Sequence, residues 1–376
     1  MSRLDVLAKE IGKKFGENTI GYGVKQDEYD KIRFTSPRLN YMTFGGLATG
    51  RIYEFAGPEG SGKTTSAFDL MKNAQIKFHK EFEEEQAKGN KDFLEKKIFF
   101  LDEEGTFDAV WARKFGVDVE KVMIWQPQGE SAEKVLDVLR QVIETGEVGL
   151  AVLDSVATLV SEQVYDESLE KKAYGGIAAT LTRFVNLIKG PLIKYKCTLI
   201  MINQVREDLN SMFGGTITPG GRAFKHACSA RFEFRKGKFI DANGKELTNN
   251  AENPAGNIIH VVVKKTKIFE PTRRVGYYTI NYLTGPDFMN DYIDVGIQTG
   301  VINQKASYFD IIDINTGEIL NTEKIQGKPK LKEQLEQHEE WVALIDNAMD
   351  GKKVEEVVDA DILADANKIV NTSKDE

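Results

Sequence analysis

The feature that most constrains the fold of this chain is the run GPEGSGKT at residues 57–64, which matches the pattern G-x-x-x-x-G-K-[ST]. Residues 51–56 before it predict a buried strand, and residues 65–78 after it predict a helix. In such a turn the glycines let several backbone N–H groups point at phosphate oxygens, and the positive end of the helix dipole adds to the attraction. A structural glycine turn is the alternative, but the flanking strand and helix favour a nucleotide phosphate site.

Three side chains have a defined task at such a site. Lys63 is placed to reach the β- and γ-phosphates, and the Thr64 hydroxyl is placed to ligate Mg²⁺. Residues 150–154 read LAVLD, an apolar strand that ends in a carboxylate. Many strands end in Asp, but after a phosphate loop this pattern indicates a Walker B strand in which Asp154 holds Mg²⁺ through water. The sequence therefore predicts a site for ATP and Mg²⁺.

Three acidic residues, Asp102, Glu103 and Glu104, end the apolar segment FFLDEE. One interpretation is a solvated strand end. The other is a carboxylate that polarises the water attacking the γ-phosphate. The chemistry of the residues does not choose among the three acids.

The order of apolar segments from about residue 34 predicts an α/β fold with a mainly parallel sheet and helices on both faces. The predicted core strands are residues 52–56, 98–102, 122–125, 150–154 and 198–203. Segments with turns between them predict antiparallel strands at residues 230–236, 257–265 and 276–283. Residues 80–97 are almost all charged or polar, and we interpret them as a solvated helical excursion between two core elements.

The chain divides into four regions by composition. Residues 1–33 predict an amphipathic helix and a short extended piece around Ile20, with too little apolar surface for a core of their own. Residues 34–286 form the core, and residues 287–348 form a smaller α+β domain. Residues 349–376 form an acidic tail, which we expect to be flexible.

Composition excludes several classes of protein. No apolar run approaches the roughly 18 residues of a membrane span. Two cysteines, Cys197 and Cys228, are too few for a disulfide framework or a four-cysteine zinc site, and they fit a reducing cytoplasm. The net charge is −8, but residues 333–376 carry 13 acidic and 4 basic residues, a net of −9, so the first 332 residues carry about +1. A DNA site outside the tail is therefore compatible with the charge.

Residues 205–219 predict a DNA-binding loop, because they are rich in Gly, Asn, Ser and Thr and carry Met212 and Phe213 at the centre. Exposed apolar side chains in a loop need a contact, and single-stranded DNA offers bases to stack on. The alternative is a loop that folds back on its own core. The candidate phosphate contacts nearby are Arg206, Gly220, Gly221 and Arg222.

Two further charged segments have both a functional and a plain interpretation. Residues 163–175 could complete the DNA groove, with Lys171, Lys172 and Arg183 as candidate cations, although a charge run is usually a solvated face. Residues 262–267 read VVKKTK, which alone could be a solvated edge strand whose lysines prevent aggregation.

Five segments together resemble bacterial RecA and its phage-encoded relatives. They read GRIYEFAGPEGSGKTT, FLDEEGTFDAVWARKFGVD, LAVLDSVATL, LIMINQVRED and MFGGTITPGGRAFK. The resemblance extends from about residue 4 to about residue 345, whereas a generic P-loop enzyme would share only the first and third segments. It implies a RecA-like P-loop ATPase core with an N-terminal polymerisation arm.

The resemblance implies roles for individual residues. Glu104 is then the acid that activates water, and Gln204 is the γ-phosphate sensor between the ATP site and the DNA loop. Trp111 lies against adenine, and Asp108 lies beside the same base. The expected nucleotide-binding residues are Gly57, Pro58, Glu59, Gly60, Ser61, Gly62, Lys63, Thr64, Thr65, Asp108, Trp111 and Asp154. The expected catalytic residues are Glu104, Lys63, Gln204, Lys265 and Lys267.

The resemblance also implies an assembly. Lys265 and Lys267 would reach the ATP of the neighbouring subunit and stabilise charge as an arginine finger does. Residues 14–20 resemble the polymerisation arm, in which Ile20 inserts into the next subunit. Such a head-to-tail contact propagates into a helical filament. ATP would favour the filament that binds DNA, which couples the two ligands.

The sequence therefore predicts an ATP-dependent homologous recombinase that holds single-stranded DNA in a filament and pairs it with homologous double-stranded DNA. An accessory loader or single-stranded-DNA-binding protein is a possible partner. One alternative is a ring-forming helicase or motor on the same core, which rings in electron micrographs would favour. The other is a mediator that coats DNA without exchanging strands, which a lack of DNA-stimulated ATPase activity would favour.

Four features depart from the family pattern or stay open. Residues 80–97 are an insertion that decorates the filament or binds an accessory protein. His226 lies where an aromatic relay is expected, and Thr180 replaces an arginine, with Arg183 displaced along the helix. The acidic tail is either solvation alone or, in our hypothesis, an autoinhibitory screen that competes with duplex DNA.

Overall fold

The computed structural model describes residues 2–15, 29–165, 176–207, 216–242, 244–248, 250–283 and 285–349. The chain divides into two compact units, Met1–Asp30 and Lys31–Glu376. In the first unit, helix α1 (Arg3–Phe15) confirms the predicted amphipathic helix, and Leu4 and Leu7 on it are exposed. Ile20 lies outside the described residues.

The second unit alternates strands and helices. In chain order its first elements are β1 (Lys31–Ile32), α2 (Pro37–Met42), β2 (Leu47–Ala48), β3 (Ile52–Gly57), α3 (Lys63–Ala87), β4 (Lys97–Asp102), α4 (Ala109–Lys114), β5 (Val122–Trp125), α5 (Ala132–Glu144), β6 (Val148–Asp154), α6 (Glu162–Tyr165), α7 (Ala178–Tyr195) and β7 (Thr198–Gln204). They are followed by β8 (Arg206–Glu207), β9 (Thr216–Ile217), α8 (Gly221–Ala227), β10 (Ala230–Ile240), β11 (Gly256–Thr266), β12 (Val275–Asn281) and β13 (Gly285–Asp287).

Within the described residues, nine strands form one sheet in the order β13-β12-β11-β10-β3-β7-β6-β4-β5. The strands from β10 through β3 to β5 are parallel to one another, and β10 to β13 pair antiparallel. The predicted α/β fold with a mainly parallel sheet is therefore confirmed. All eight predicted strands are present, as β3, β4, β5, β6, β7, β10, β11 and β12.

The register of the parallel strands brings the predicted site residues to one edge of the sheet. Gly57 at the end of β3 is the register partner of Gln204 at the end of β7. Asp102 at the end of β4 is the register partner of Asp154 at the end of β6. Because these strands are parallel, their carboxyl ends meet, which is where open α/β sheets bind ligands.

Side chains on the two faces of the sheet enter two separate hydrophobic cores. In β4, Phe100 packs with Phe68 of α3, while the next residue, Leu101, lies in the same core as Leu136 of α5 and Phe184 of α7. This alternation follows from the period of two in a strand. Each fully buried side chain of this size contributes about 1.5–3 kcal/mol relative to exposure, so both helix layers are fixed to the sheet.

The charged segment at residues 80–97 continues the helix that follows the phosphate loop. Its first part, up to Ala87, lies in α3 and carries the ion pair Lys80–Glu84, and Glu81 pairs with Lys77 one turn earlier in the same helix. The remainder connects α3 to β4 without a helix or strand until Lys97. The predicted helical excursion is thus confirmed for residues 80–87.

The C-terminal elements are α9 (Met289–Thr299), β14 (Ile302–Lys305), β15 (Tyr308–Ile311), β16 (Ile325–Gln326), α10 (Lys328–Gln337) and α11 (Glu339–Met349). They enclose a third core, which includes Ile293, Phe309 and Trp341. Arg38 of α2 is buried and binds Asp294 at 2.6 Å, so the C-terminal elements contact the rest of this unit.

The division into four regions stays a prediction, and residues 350–376 of the tail lie outside the described residues. Among the helices that the structure describes, none is long and apolar enough to cross a membrane.

Candidate active site

The loop between β3 and α3 adopts a backbone that glycine alone accommodates easily. Gly60 and Gly62 have φ values of 66° and 88°, in the left-handed region. A Cβ on Gly57 would lie 2.4 Å from the carbonyl oxygen of Phe234. The glycines therefore allow the tight turn that a phosphate loop requires, and this turn leads directly into the N-terminus of a 25-residue helix.

Lys63 lies at the centre of this loop and is only 8% exposed. Its Nζ donates to the carbonyl oxygens of Gly57 at 3.0 Å and Pro58 at 2.7 Å. Burial lowers the pKa of Lys63, while the carboxylates of Asp154 and Glu104 act in the opposite direction. A buried ammonium facing the loop is suited to bind phosphate oxygens.

Thr64 and Asp154 contact each other across the start of α3. The Thr64 hydroxyl donates to Asp154 Oδ2 at 2.7 Å. Burial raises the pKa of Asp154 to about 6, although the hydrogen bond from Thr64 acts in the opposite direction. Mg²⁺ bound to a nucleotide typically takes one or two protein oxygens and completes its shell with phosphates and water, so this pair fits the ion. In the described part of the chain, no cluster of three or more His, Cys, Asp or Glu side chains could hold a metal by itself.

Asp102 is occupied by structural hydrogen bonds. It is buried, and its carboxylate accepts from the backbone N–H groups of Thr106 at 3.0 Å and Phe107 at 2.9 Å. Gln126 Nε2 adds a third bond at 2.7 Å. Asp102 thus fixes the turn after β4 and has little capacity left for a reacting water.

Glu104 is the acid that contacts the other site residues. Its Oε1 accepts from Ser155 Oγ at 2.7 Å and from Gln204 Nε2 at 2.9 Å. Glu103 is half-buried, and burial together with Asp102 raises its pKa to about 7. Within the described residues, the buried Oε2 of Glu103 has no hydrogen-bond partner.

The residues expected near the base lie beside the first turn of α3. Asp108 caps α4 by accepting from the backbone N–H of Trp111 at 2.8 Å. Trp111 Nε1 donates to Thr65 Oγ1 at 3.2 Å, and its ring packs edge-on against Phe115 at 5.3 Å between centroids. The aromatic ring of Trp111 is therefore held next to the nucleotide loop. Asp108 is the N-cap of α4.

The described ends of the predicted DNA loop are held close together. β8 pairs with β9, with Arg206 opposite Ile217, and the Arg206 side chain is exposed. Met212 and Phe213 lie outside the described residues. Gly220 and Gly221 have φ values of 107° and 75°.

The two glycines also allow α8 to pack closely against α7. A Cβ on Gly221 would lie 2.8 Å from the Cβ of Ala178. Arg222 follows them at the start of α8 and is exposed. Arg183 lies on α7, in a groove against α5 that Asp137 and Arg140 also line. Lys171 and Lys172 lie outside the described residues.

The lysine pair contacts the C-terminal end of α8. Lys265 Nζ donates to the carbonyl oxygens of Lys225 at 2.6 Å, His226 at 3.0 Å and Cys228 at 3.0 Å, and Lys267 Nζ also donates to His226. Burial, followed by the charge of Lys267, lowers the pKa of Lys265 to about 8. β11 lies between β10 and β12, but its register with β12 ends at Val262, and among the described residues Lys265 is paired only with Arg231 of β10, so the edge-strand interpretation of this segment stays open.

Sequence reasoning missed four residues of the site. Ser155 binds Glu104, and the other three form a hydrogen-bonded network next to Gln204: the buried Glu54 and Asn203 and the partly buried Arg231. A signal for two of them was present, because Glu54 and Arg231 are charged residues within otherwise apolar strands.

Comparison with known proteins agrees with this geometry. A family model described as the RecA N-terminal domain matches residues 2–285. This chain belongs to the RecA family. It is 32% identical over 337 residues to Protein RecA of Mycoplasmopsis pulmonis, covering 88% of each chain. It is 30% identical over 343 residues to Protein RecA of Bacteroides thetaiotaomicron, covering 89% of this chain and 95% of that one.

A crystal structure of the RadB recombinase matches with a TM-score of 0.47 and 18% identity, over 68% of this chain and 98% of that chain. RecA-family members are DNA-dependent ATPases and strand-exchange proteins, and this chain is a RecA-family recombinase. The family uses ATP with Mg²⁺, acts on DNA and forms filaments.

Proposed function

We propose that this protein hydrolyses ATP at the end of β3 and uses that site to control a DNA-bound, head-to-tail filament that pairs single-stranded DNA with homologous duplex in the cytoplasm. The observation that carries the proposal is the contact of Gln204 with Glu104. It joins the strand that leads into the DNA loop to the acid suited to activate water. A site for hydrolysis alone would not need this connection.

Each side chain at the phosphate loop has a separate role in phosphoryl transfer. Bound ATP supplies the phosphoryl group, and Thr64 and Asp154 would hold Mg²⁺, which would neutralise charge on the phosphate oxygens. Lys63 donates to the β- and γ-phosphate oxygens. Glu104 orients the attacking water and accepts its proton, with Ser155 fixing the carboxylate. Trp111 and Asp108 bind the base.

The lysine pair adds positive charge to that of Lys63 in the phosphate loop. Lys265 and Lys267 reach the nucleotide of the neighbouring subunit and stabilise charge on the transferring group. Their contacts with the C-terminal carbonyls of α8 support a link to DNA, since Arg222 lies at the opposite end of the same helix. Hydrolysis then requires two subunits in contact.

Two exposed apolar surfaces support head-to-tail assembly. On α1, Leu4 and Leu7 are exposed, and on β5, Met123 and Ile124 are exposed. β5 is the last strand of the sheet, so within the described residues its outer edge is unpaired. Contiguous exposed apolar groups and an open strand edge are typical of contact surfaces, and a contact between two different surfaces of the same protein propagates into an open filament.

Single-stranded DNA would lie along the segment from Arg206 to Arg222. The phosphate contacts come from Arg206, Arg222 and the backbone at Gly220 and Gly221, while Met212 and Phe213 contact bases. Arg183 contributes from α7. An accessory loader or single-stranded-DNA-binding protein would assist assembly. The tail would compete with duplex for this surface, so its deletion should speed duplex uptake and lower the Mg²⁺ requirement.

The deciding experiment measures joint molecules between homologous single-stranded and supercoiled DNA with ATP and Mg²⁺. We expect a product that depends on homology and disappears in Lys63→Ala. The matched control is Lys80→Ala, the same substitution on an exposed part of α3, where the lysine pairs with Glu84 at 4.0 Å. It should leave product formation unchanged.

Normal DNA-stimulated hydrolysis without product, even with a single-stranded-DNA-binding protein added, would contradict strand exchange and favour the motor. Loss of DNA stimulation itself would favour a passive DNA coat.

A further inference from the structure

Glu54 is a carboxylate in the middle of the sheet, on the strand that leads to the phosphate loop. It is 0% exposed. Removing a carboxylate from water costs several kcal/mol unless its oxygens are paired. Both oxygens are paired: Oε1 accepts from Asn203 Nδ2 at 2.8 Å, and Oε2 accepts from Arg231 Nε. The two partners lie on β7 and β10, the strands on either side of β3.

Both partners of Glu54 also bind the end of the predicted DNA loop. Asn203 Nδ2 donates to the carbonyl oxygen of Pro219 at 3.0 Å. Arg231 Nη2 donates to Thr218 Oγ1 at 3.2 Å. The last two residues before Gly220 are therefore fixed to the core through one buried carboxylate.

The same network reaches the start of the loop and the nucleotide site. The backbone N–H of Gln204 donates to Asn203 Oδ1 at 3.0 Å, and the Gln204 side chain donates to Glu104. The Asn203 amide thus binds Gln204 with its oxygen and Pro219 with its nitrogen. A displacement at Gln204 therefore acts on a side chain that holds the other end of the loop.

We propose that Glu54, Asn203 and Arg231 are positioning residues that set Thr218 and Pro219 relative to Gln204, and so couple nucleotide binding to DNA binding. The inference rests on the proposed function and adds the connection between its two ligands. A polar network in a low-dielectric interior has few arrangements in which every group is hydrogen-bonded, because breaking one bond leaves a buried group unpaired. The network therefore transmits a shift of Gln204 instead of absorbing it.

A purely structural ion pair is the competing explanation, and coupling distinguishes the two. If the network only stabilises the sheet, weakening it lowers stability without changing how nucleotide affects DNA affinity. If it positions the loop, the ratio of DNA affinities with and without nucleotide changes, since coupling is a property of the pair of sites.

The experiment measures the affinity of full-length protein for a fluorescent oligothymidylate with and without ATPγS, together with ATPγS affinity without DNA and the melting temperature. Arg231→Lys keeps the charge but loses the planar fork that binds Glu54 and Thr218 together. Thr218→Val removes only the contact with the loop end and leaves the ion pair intact. Arg38→Lys is the matched control, because Arg38 is likewise paired with a carboxylate, Asp294, and is even more buried than Arg231.

We expect Arg231→Lys to lower the ATPγS-induced gain in DNA affinity by about tenfold, with a smaller loss in Thr218→Val and none in Arg38→Lys. ATPγS affinity without DNA should stay within about twofold in all three. An unchanged gain in Thr218→Val and Arg231→Lys overturns the inference, even if both variants melt earlier. If Arg231→Lys does not fold, Thr218→Val decides. A wild type without any gain overturns the proposed function and the inference together.

Discussion

The side-chain amide of Gln204 donates to the carboxylate of Glu104 at 2.9 Å, which joins the ends of β7 and β4 directly at the nucleotide site. An amide carries two N–H donors, so Gln204 can hold Glu104 with one and bind a γ-phosphate oxygen with the other. In the proposed function, the residue that senses the nucleotide is thus also the residue that orients the acid. Two predictions concern this pair.

Gln204→Glu should lower kcat of DNA-stimulated ATP hydrolysis by about 10- to 100-fold, since a hydrogen bond to a charged group is worth about 1.5–3 kcal/mol. The new carboxylate would also repel Glu104. Steady-state hydrolysis at saturating ATP and single-stranded DNA measures the change. Gln141→Glu is the control, because it removes an amide donor from Asp137 on the exposed face of α5. Equal effects of the two substitutions would contradict the role of Gln204.

Substitutions of Asp102, Glu103 and Glu104 should differ in their effects on hydrolysis and stability. Glu104→Gln should lower kcat by about 10²- to 10⁴-fold, the usual contribution of a positioned general base. Its melting temperature should stay near that of the wild type. Glu103→Gln, the same substitution one residue away, contacts neither Ser155 nor Gln204 in the described residues and should retain most activity. A similar loss in both variants would leave Glu104 without a special role.

Asp102→Ala should act on folding. It leaves the backbone N–H groups of Thr106 and Phe107 without their acceptor, so the free energy of unfolding should fall by about 2–3 kcal/mol. Denaturant titration by circular dichroism measures the loss. Normal stability would mean that the turn after β4 does not depend on this carboxylate.

The sequence predicted the strands and the phosphate loop because both depend on local patterns. Apolar periodicity identified β3 to β7, and the glycines with Lys63 identified the turn. The family resemblance implied Glu104 as the acid that activates water, but the chemistry of the residues alone could not distinguish the three acids, because their roles depend on hydrogen bonds from distant residues. Gln126 binds Asp102, and Ser155 binds Glu104. The partners of Glu54 likewise come from strands that are adjacent only in the folded sheet.

Thr64→Val should weaken binding of ATP with Mg²⁺ by at least about tenfold, because the hydroxyl lost is a ligand suited to the ion. The substitution keeps the shape of the side chain and removes its bond to Asp154. The increase in melting temperature on adding ATP and Mg²⁺ measures binding through linkage. Thr182→Val is the control, since its hydroxyl only binds the Ala178 carbonyl within α7. A normal ATP-induced shift in Thr64→Val would contradict the metal site.

The pH dependence of hydrolysis should report Lys265. Its pKa is lowered to about 8, so the ammonium is charged below that pH and loses its proton as the pH rises through it. Because the charge is what stabilises the transferring phosphoryl group, kcat/KM, which follows ionisation in the nucleotide-free protein, should fall between about pH 7.5 and 9. Lys265→Arg keeps a charged group over this range, so its profile should be flatter. Lys264→Arg is the matched control, since Lys264 is on the same strand and pairs with Glu233 at 3.3 Å. A profile for Lys265→Arg that falls as steeply as that of Lys264→Arg would assign the alkaline loss to another group.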